Sequence, residues 1–489
     1  MTDSFGTCKR ALSPDSSTTT RCSKRTKTFD ATLLESPLTS VASTPEPDQT
    51  FYDAKTKTLH VAGQQLKTTV VFDSLWKWLA ERQEMDDKRR RGLPAPWTDD
   101  PILRDHKFCN AYRVLDKTSQ YLVTEVIHKG PQTRQELLFR ILLFNTFNRI
   151  STWELLRDHF GARLTYAHFS VAEYEAFLLA AAEAGTSLFT NAYLKIFPRV
   201  KMYANETTVS LWLGVVQSMM EKLPTVLDGA NYAVEVYEHV AGYPGFDVFT
   251  TYQLILALSY SSLLPFSAND FVMPGPGCTS GLSKIFGKGF LEEQKRIVKQ
   301  LLLGVDAEDK HKVDKHNTKV VEIAILRWMV DDQEAQFERL GLDFSYLRDA
   351  KGTTIRLELP DIEHAVCEVD KYARKAHPRI KGTSDRTELK ASFSSEGKAR
   401  PPKVVLPVAW SDPRRQQARI REGLIEVDQQ YFVDEIVDEV AGKYFVSWAG
   451  YDDRTWEKRQ DIREQAPAAV KVWEDAKRRA SKKKKRSRR

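Results

Sequence analysis

Residues 137–147 read Leu-Leu-Phe-Arg-Ile-Leu-Leu-Phe-Asn-Thr-Phe, and this stretch indicates the fold of the largest part of the chain. Its apolar side chains recur at intervals of three and four residues, which places them on one side of an α-helix. The positions on or beside this face are Leu137, Leu138, Ile141, Leu142, Phe144, Asn145 and Phe147. The stretch therefore predicts an amphipathic helix.

The same spacing returns along the chain and predicts further helices. It is present at 171–184, 291–303 and 320–340, and the first of these stretches stops at Gly185, a residue type that commonly ends a helix. We therefore predict one mainly α-helical domain over residues 66–380, without an internal repeat. A chain of 489 residues has room for about three domains.

The segments on either side of this domain differ from it in composition. Residues 1–50 are rich in Ser, Thr and Pro, which predicts a disordered tail. Residues 381–425 begin with a polar stretch that contains Gly and Pro, and we predict a linker there. Residues 426–476 are predicted to form a small α+β module, and residues 477–489 a disordered basic tail. The predicted fold class is therefore multidomain, with a large α-helical domain and a small α+β domain.

The basic tail carries the net positive charge of the chain. Residues 477–489 contain ten Lys or Arg and no acid, and the rest of the chain has 63 basic and 66 acidic residues. Such a tail favours import into the nucleus or contact with nucleic-acid phosphate, although it can also act only as a solubilising segment. A second basic cluster at 24–27 favours a nuclear protein.

Two classes of protein do not fit the composition. No apolar run reaches the roughly 20 residues that cross a bilayer, so no membrane partner is predicted. The five cysteines are scattered without Cys-x-x-Cys spacing, which argues against disulfides and structural zinc. His364 and Cys367 have a spacing that metal ligands can use, but Cys367 follows two apolar residues and is expected to pack in the core. We therefore predict neither a metal nor a cofactor.

The C-terminal module shows three short stretches of alternating apolar residues, at 431–438, 442–451 and 455–457, with Gly442 at the first turn. An amphipathic helix is predicted from Pro467 to Lys477. In order and spacing these elements resemble the chromodomain, a short curved antiparallel sheet with a C-terminal helix that binds methylated lysine. The segment departs from the family pattern at Asp434, Ser447 and Lys458.

This resemblance implies an aromatic cage formed by Tyr431, Trp448 and Tyr451, in which the rings attract a methylated ammonium by cation–π interaction. It also implies that Trp456 is buried, that residues 426–430 accept the peptide as an added strand, and that the partner is a methylated histone tail, with histone H3 the expected one. The alternative is that these aromatic residues only build the core of the module.

In the helical domain, one cluster of residues suggests contact with DNA phosphate. The sequence Pro274-Gly275-Pro276-Gly277 precedes a helix predicted to start near Thr279, and such a turn can present backbone N–H groups to an anion. It is similar to the hairpin of helix-hairpin-helix DNA-binding modules. An ordinary tight turn is the alternative. The residues predicted to contact DNA phosphate are Gly275, Gly277, Lys284, Lys107 and Arg113.

A second cluster could carry chemistry. Asp361, Glu368, Asp370 and Lys371 lie within one short stretch predicted to be helical, and the first, second and fourth of them can share a face. A carboxylate beside a bound base could act as a general base or stabilise a positive charge. The alternative is a helix surface with ion pairs between neighbouring turns.

Two blocks, Trp97-Thr98-x-Asp100-Pro101-Ile102-Leu103 and Val366-Cys-Glu-x-Asp370-Lys-Tyr372, resemble the helical domain of 5-hydroxymethyluracil DNA kinases and related thymine-modification proteins. This resemblance covers about residues 72–379 and implies a domain that binds or acts on DNA with a modified pyrimidine. The Gly-x-x-x-x-Gly-Lys-Ser/Thr run that P-loop kinases need is absent, so kinase activity is not predicted.

Two functions from different classes remain open. The chain is either a nuclear chromatin-associated protein whose helical domain binds DNA, or an enzyme on a modified pyrimidine in DNA or its nucleotide that the C-terminal module targets. The missing P-loop favours the first, and the polar clusters favour the second. A third interpretation is a degenerate protein in which only the targeting module works.

Overall fold

The chain forms two hydrophobic cores, a large one in the helical domain and a small one in the C-terminal module. The structure is a computed structural model. The residues it describes are 50–61, 64–190, 206–287, 289–301, 317–389, 391–395, 400–415, 417–421, 425–427, 433–448 and 454–486. The predicted disordered tail lies almost entirely outside these residues.

A small antiparallel sheet opens the helical domain. Its strands are β1 (Phe51–Asp53), β2 (Thr58–Val61) and β3 (Gln64–Lys67), in the order β1-β2-β3. Leu59, on β2, is fully buried in the large core. The domain therefore begins about fifteen residues before the predicted boundary at residue 66, because strands this short carry little sequence periodicity.

The predicted helical domain is confirmed as mainly α-helical. Its first seven helices are α1 (Val70–Arg91), α2 (Pro101–Asp105), α3 (Lys117–Tyr121), α4 (Arg134–Phe147), α5 (Ile150–Phe160), α6 (Val171–Glu183) and α7 (Thr208–Gly229). The next seven are α8 (Ala233–Ala241), α9 (Val248–Ser259), α10 (Pro276–Phe286), α11 (Phe290–Leu301), α12 (Val320–Asp331), α13 (Gln333–Arg339) and α14 (Leu359–Ala376). The short strands β4 (Leu347–Arg348) and β5 (Thr354–Ile355) pair before α14.

Helix α14 lies at the centre of the domain and is buried along most of its length. Its tightest neighbour is α10. At Gly281 a β-carbon would overlap the carbonyl oxygen of Val366, and at Gly277 a β-carbon would overlap the sulfur of Cys367. The glycines of α10 therefore allow two helix backbones to approach closely, which explains why they occur inside a helix despite their low helix propensity.

The segment predicted as a linker has irregular backbone, as expected, but it is packed against the helical domain. Val405 exchanges two hydrogen bonds with the Gln120 side chain, at 3.0 and 3.1 Å. Farther along, Arg421 pairs with Glu238. Polar composition alone did not reveal these contacts, because they are made largely by backbone groups and by charges paired across long sequence distances.

The C-terminal module contains the predicted three-stranded sheet and terminal helix. Its strands are β6 (Val433–Val440), β7 (Lys443–Trp448) and β8 (Arg454–Lys458), followed by α15 (Arg459–Gln465) and α16 (Pro467–Arg486). Helix α16 continues through most of the segment predicted to be a disordered tail. Lys, Arg and Ala are good helix formers, which favours this continuation.

Two tryptophans of this module differ in exposure, and Trp456 is not buried as predicted. Trp448 is 1% exposed, and its indole N–H donates to Thr455 Oγ1 at 2.7 Å. Trp456, predicted to be buried, is 40% exposed and stacks on Phe445. Adjacent residues of a strand face opposite sides of the sheet, and here Glu457 rather than Trp456 points inward.

None of the described helices has both the length and the apolar character that crossing a bilayer requires.

Candidate functional site

A group of mostly buried polar side chains lies where one face of α14 meets the loop before α3 and the helix α9. We call it the polar centre. Its members are Cys109, Arg113, Asp116, Tyr252, Asp361, His364, Glu368 and Lys371. Four of them come from α14, at intervals of three and four residues, so they share one face of that helix.

Asp361 fixes the loop that carries Arg113. One of its oxygens accepts the backbone N–H of Arg113 at 2.8 Å, and the other accepts the backbone N–H of Glu358 at 3.0 Å. Burial raises the pKa of Asp361 to about 6, while these two amides act to lower it. Because both oxygens are occupied by backbone donors, the geometry favours a positioning role for Asp361 rather than the predicted catalytic role.

Arg113 is 8% exposed and contacts several members of the centre. Its Nη2 donates to Gln253 Oε1 at 2.9 Å. Its Nη1 lies 3.0 Å from Nδ1 and 3.2 Å from Nε2 of His364. A single atom that is equally close to both ring nitrogens lies over the ring, not in line with either lone pair. Burial keeps this guanidinium from bulk solvent and directs it to groups of the protein, so the structure gives no support to the predicted contact of Arg113 with DNA phosphate.

His364 and Glu368 form the middle of the polar centre. His364 Nε2 lies 4.0 Å from Glu368 Oε1 and 3.8 Å from Asp116 Oδ2. Burial, together with the charges of Arg113 and Lys371, lowers the pKa of His364 well below its usual value, so its imidazole is neutral at neutral pH. Burial also raises the pKa of Asp116 to about 6.

Glu368 and Lys371 are the predicted catalytic residues that the structure does bring together. Glu368 is 2% exposed, its Oε2 accepts the backbone N–H of Cys109 at 3.1 Å, and its Oε1 lies 2.5 Å from Lys371 Nζ. The Lys371 side chain is 33% exposed, so this ion pair connects the buried centre with solvent. Burial alone would lower the pKa of Lys371, but Glu368 holds it above the usual value.

Tyr252 contributes a buried hydroxyl group to the polar centre. It is 3% exposed, and among the described residues its hydroxyl has no hydrogen-bond partner. Burial, and then the charge of Glu363, raises its pKa well above the usual value. A buried hydroxyl without a partner is costly, so such a group in a native structure calls for a partner such as a ligand or water.

Asp370 and Lys284 lie together on a different side of α14, away from the polar centre. Their charged groups are 3.0 Å apart, and Asp370 also accepts from Arg374 at 2.6 Å and from Ser280 at 2.7 Å. Burial alone would raise the pKa of Asp370, but these three partners hold it below the usual value. Lys284 is 3% exposed and paired with Asp370, so the structure gives no support to its predicted contact with DNA phosphate. The same network makes Asp370 a structural anchor.

The backbone N–H of Gly275, in the turn before α10, already has a hydrogen-bond partner within the protein. Helix α10 begins at Pro276, three residues earlier than predicted, and the backbone N–H of Gly275 donates to Glu363 Oε1 at 3.0 Å. A carboxylate of the protein therefore accepts the N–H that was predicted to contact a phosphate, and the phosphate contact of Gly275 stays a prediction. Gly277 serves the close approach to α14. Lys107, by contrast, is exposed beside the polar centre, where its role in DNA binding remains a prediction.

The polar centre contains three side chains that could hold a metal ion, and the sequence analysis did not single out this set. One ligand atom each from Cys109, His364 and Glu368 lies within 4.8 Å of the others. The cysteine that lies near His364 in this set is thus Cys109 and not the neighbouring Cys367, which packs toward Gly277. The available signal was the spacing of four residues between His364 and Glu368; the contribution of Cys109, 255 positions before His364, needed the fold.

Of the predicted cage in the C-terminal module, Trp448 is described and lies in the small core. Tyr431 and Tyr451 lie outside the described residues.

Comparison with known proteins agrees with the helical domain. The family model "5-hmdU DNA kinase, helical domain" matches residues 69–382. A 5-hmdU DNA kinase of Bacillus phage SP10 is 23% identical over 311 residues, which is 60% of this chain and 43% of that protein. The matched region therefore spans less than half the length of this relative. No solved structure matches. Because the family model covers well over half of the chain, including the whole polar centre, the chain belongs to the family defined by the helical domain of 5-hmdU DNA kinases.

Proposed function

We propose that the helical domain binds DNA that carries a modified pyrimidine of the 5-hydroxymethyluracil type, and that the polar centre receives this base. The observation that carries the proposal is the partnerless hydroxyl of Tyr252 beside the charged groups of the centre. Helix packing does not need such a group, whereas a bound base could satisfy it through its own donors and acceptors. The family supplies the class of ligand.

The accessible side of the centre has the composition that an unstacked base requires. A base in a duplex must first be rotated out of the stack before a buried site can receive it. Lys371 Nζ lies 5.8 Å from the ring centroid of the half-buried Phe108, and Lys107 is exposed next to it. An aromatic ring flanked by cations can stack on a base while contacting the phosphates on either side.

A second candidate function is chemistry on the bound base, which the pair His364 and Glu368 favours. The neutral imidazole of His364 can accept a proton from a hydroxyl group of the substrate. Glu368, 4.0 Å away, can stabilise the imidazolium that forms. The activity in the name of the phage relative is not transferred to this chain, since the P-loop run is missing from its sequence.

Full-length protein is expected to bind DNA containing 5-hydroxymethyluracil about tenfold or more tightly than the same DNA containing thymine. The two bases differ by one hydroxyl group, and a site built to hydrogen-bond that group discriminates against the base that lacks it. Glu368→Gln should abolish this preference. Affinity is measured by fluorescence anisotropy, and the recovered DNA is digested to nucleosides for mass spectrometry, with and without ATP.

Glu388→Gln is the matched control, since Glu388 pairs only with Lys375 among the described residues and is exposed. It should leave the preference unchanged. A mass change in the wild type that disappears in Glu368→Gln would establish the catalytic candidate. Equal affinity for both DNAs, with no mass change, would contradict the proposed function.

We propose in addition that the C-terminal module brings the chain to chromatin in the nucleus by binding a methylated lysine of a histone tail, most simply histone H3. The support is the order of three antiparallel strands and a closing helix, together with the spacing of Tyr431, Trp448 and Tyr451 in the sequence. The basic C-terminal segment adds attraction for DNA phosphate. This proposal for the C-terminal module is independent of the proposals for the helical domain.

Tyr431→Ala and Tyr451→Ala are each expected to weaken binding of a trimethyl-lysine H3 peptide by about tenfold or more, because each removes one cation–π partner. Trp448→Ala is a poor test, since removing a buried tryptophan costs about 3–5 kcal/mol and would unfold the module. The exposed Trp456 gives the control, and Trp456→Ala should leave binding intact. Isothermal titration of full-length protein measures the affinities. Equal binding of methylated and unmethylated peptides would exclude the proposal.

A further inference from the structure

The strongest unassigned feature of the molecule is the group Cys109, His364 and Glu368 within the polar centre. A thiol, an imidazole and a carboxylate each offer one ligand atom, and these atoms lie within 4.8 Å of one another. We propose that this group binds one divalent transition-metal ion, with zinc as the ion that suits it best. Metal binding does not depend on the proposed DNA ligand and is measured without DNA.

The chemistry of the three ligands selects the ion. Thiolate and imidazole are ligands of intermediate to soft character that bind zinc, cobalt or copper, whereas magnesium and calcium take oxygen ligands. Three protein ligands drawn from Cys, His and Glu leave the fourth tetrahedral position for a water or substrate oxygen, which is the composition of catalytic zinc sites.

The distances need only a small contraction. Ligand atoms around a tetrahedral zinc lie roughly 3.3–3.6 Å apart, as follows from bonds of about 2.0–2.3 Å. His364 Nε2 and Glu368 Oε1 are 4.0 Å apart. The two residues are one helical turn apart on α14, so modest rotamer changes can close the remaining gap. The backbone N–H of Cys109 already donates to Glu368 Oε2, which holds the thiol near the other two ligands.

The lone pairs of His364 remain available to an ion. Arg113 Nη1 is nearly equidistant from the two ring nitrogens, so it lies over the ring and not along the direction in which a nitrogen would bind a metal. Asp116 Oδ2 lies 3.8 Å from the same ring nitrogen, His364 Nε2, and can serve as a further oxygen ligand.

The charge of the centre also favours a divalent ion. An ion that binds the Cys109 thiol displaces its proton. With the ion bound, three carboxylates and one thiolate face two cations and the divalent ion, and these charges sum to zero in a largely buried region. The charged groups are Asp116, Asp361, Glu368, Cys109, Arg113 and Lys371.

Lys371 is the competing cation, since its ammonium lies 2.5 Å from Glu368 Oε1. Its side chain is 33% exposed and has a long flexible stem, so it can turn toward solvent when an ion occupies the carboxylate. Removing this charge should therefore strengthen metal binding, and Lys371→Met is expected to raise the affinity roughly tenfold.

The test uses untagged full-length protein, stripped with a chelator and titrated with cobalt(II) alone. One cobalt per chain is expected, with the near-ultraviolet absorption of a thiolate-to-cobalt charge transfer. Cys109→Ser should lose that absorption, and His364→Gln should weaken cobalt binding at least about tenfold, because loss of even an outer-shell partner costs metal sites 10–100-fold. Cys367→Ser is the matched control and should retain the full absorption. Its thiol lies on α14, the helix that carries His364 and Glu368, but it faces Gly277.

Circular dichroism shows whether each variant is folded, and His364→Gln tests the site independently if Cys109→Ser does not fold. The proposal is overturned if the wild type binds no cobalt, if Cys109→Ser keeps the charge-transfer absorption, or if Cys367→Ser loses it. Failure of this test leaves the proposed DNA binding standing, because that proposal is judged by the preference for the modified base.

Discussion

Replacing Asp370 by alanine is expected to destabilise the helical domain by about 3–5 kcal/mol, because it leaves a buried ammonium without its counter-ion. Asp370 is 2% exposed and lies 3.0 Å from Lys284 Nζ, which is itself 3% exposed. Lys284 Nζ also donates to the backbone carbonyl of Asp370 at 2.7 Å, a contact that the substitution keeps but that cannot neutralise the charge.

The measurement is the free energy of unfolding from urea denaturation of full-length protein. Lys284→Met tests the same pair from the other side, and the double variant Asp370→Ala/Lys284→Met should recover part of the loss, because replacing both partners removes the uncompensated charge. If Asp370→Ala instead folds with wild-type stability and loses only a DNA-dependent activity, the structural role assigned to Asp370 is wrong and the catalytic prediction from the sequence is restored.

Gly281→Ala is expected to destabilise the domain by at least about 3 kcal/mol, at the upper end of the cost of overpacking a core. The added methyl group would overlap the backbone carbonyl oxygen of Val366, which cannot move without displacing α14. Since α14 carries His364 and Glu368, a shift of this helix should also disturb the polar centre and lower the preference for modified DNA.

The control is Gly229→Ala, at the last residue of α7, where a β-carbon meets nothing within 4 Å. This variant should be neutral or slightly stabilising, because alanine restricts the unfolded chain more than glycine does. Urea denaturation compares the two variants under identical conditions. Wild-type stability of Gly281→Ala would show that α10 and α14 are not packed as closely as described.

The polar residues of α14 divide into those that stabilise the fold and those that are candidates for function. Asp370 faces α10 and anchors α14, whereas His364, Glu368 and Lys371 face the polar centre. In the sequence Glu368, Asp370 and Lys371 are close neighbours, and each is a candidate for chemistry. Only their partners distinguish them, since Asp370 is fully engaged by fixed protein groups and the ion pair of Glu368 with Lys371 is open to solvent on one side.

The sequence by itself determined the helical class of the large domain and the strand-and-helix order of the C-terminal module. These follow from local periodicity: the helix predicted at 171–184 spans Val171–Glu183, and the helix predicted to begin at Pro467 does begin there. The sequence also contained both motif blocks of the family that the chain belongs to. Local patterns suffice in these cases because helix and strand periods are set by residues close in the chain.

The tertiary structure decided which polar residues meet. Glu363 accepts the backbone N–H of Gly275, 88 positions earlier in the chain, in the turn where the sequence predicted a phosphate. Cys109 joins His364 and Glu368 from more than 250 positions away. The segment at 381–425, predicted to be a linker, is held to the helical domain by pairs such as Arg421 with Glu238. Spacing along the chain carries no information about such long-range pairs, because they exist only once packing has brought distant helices together.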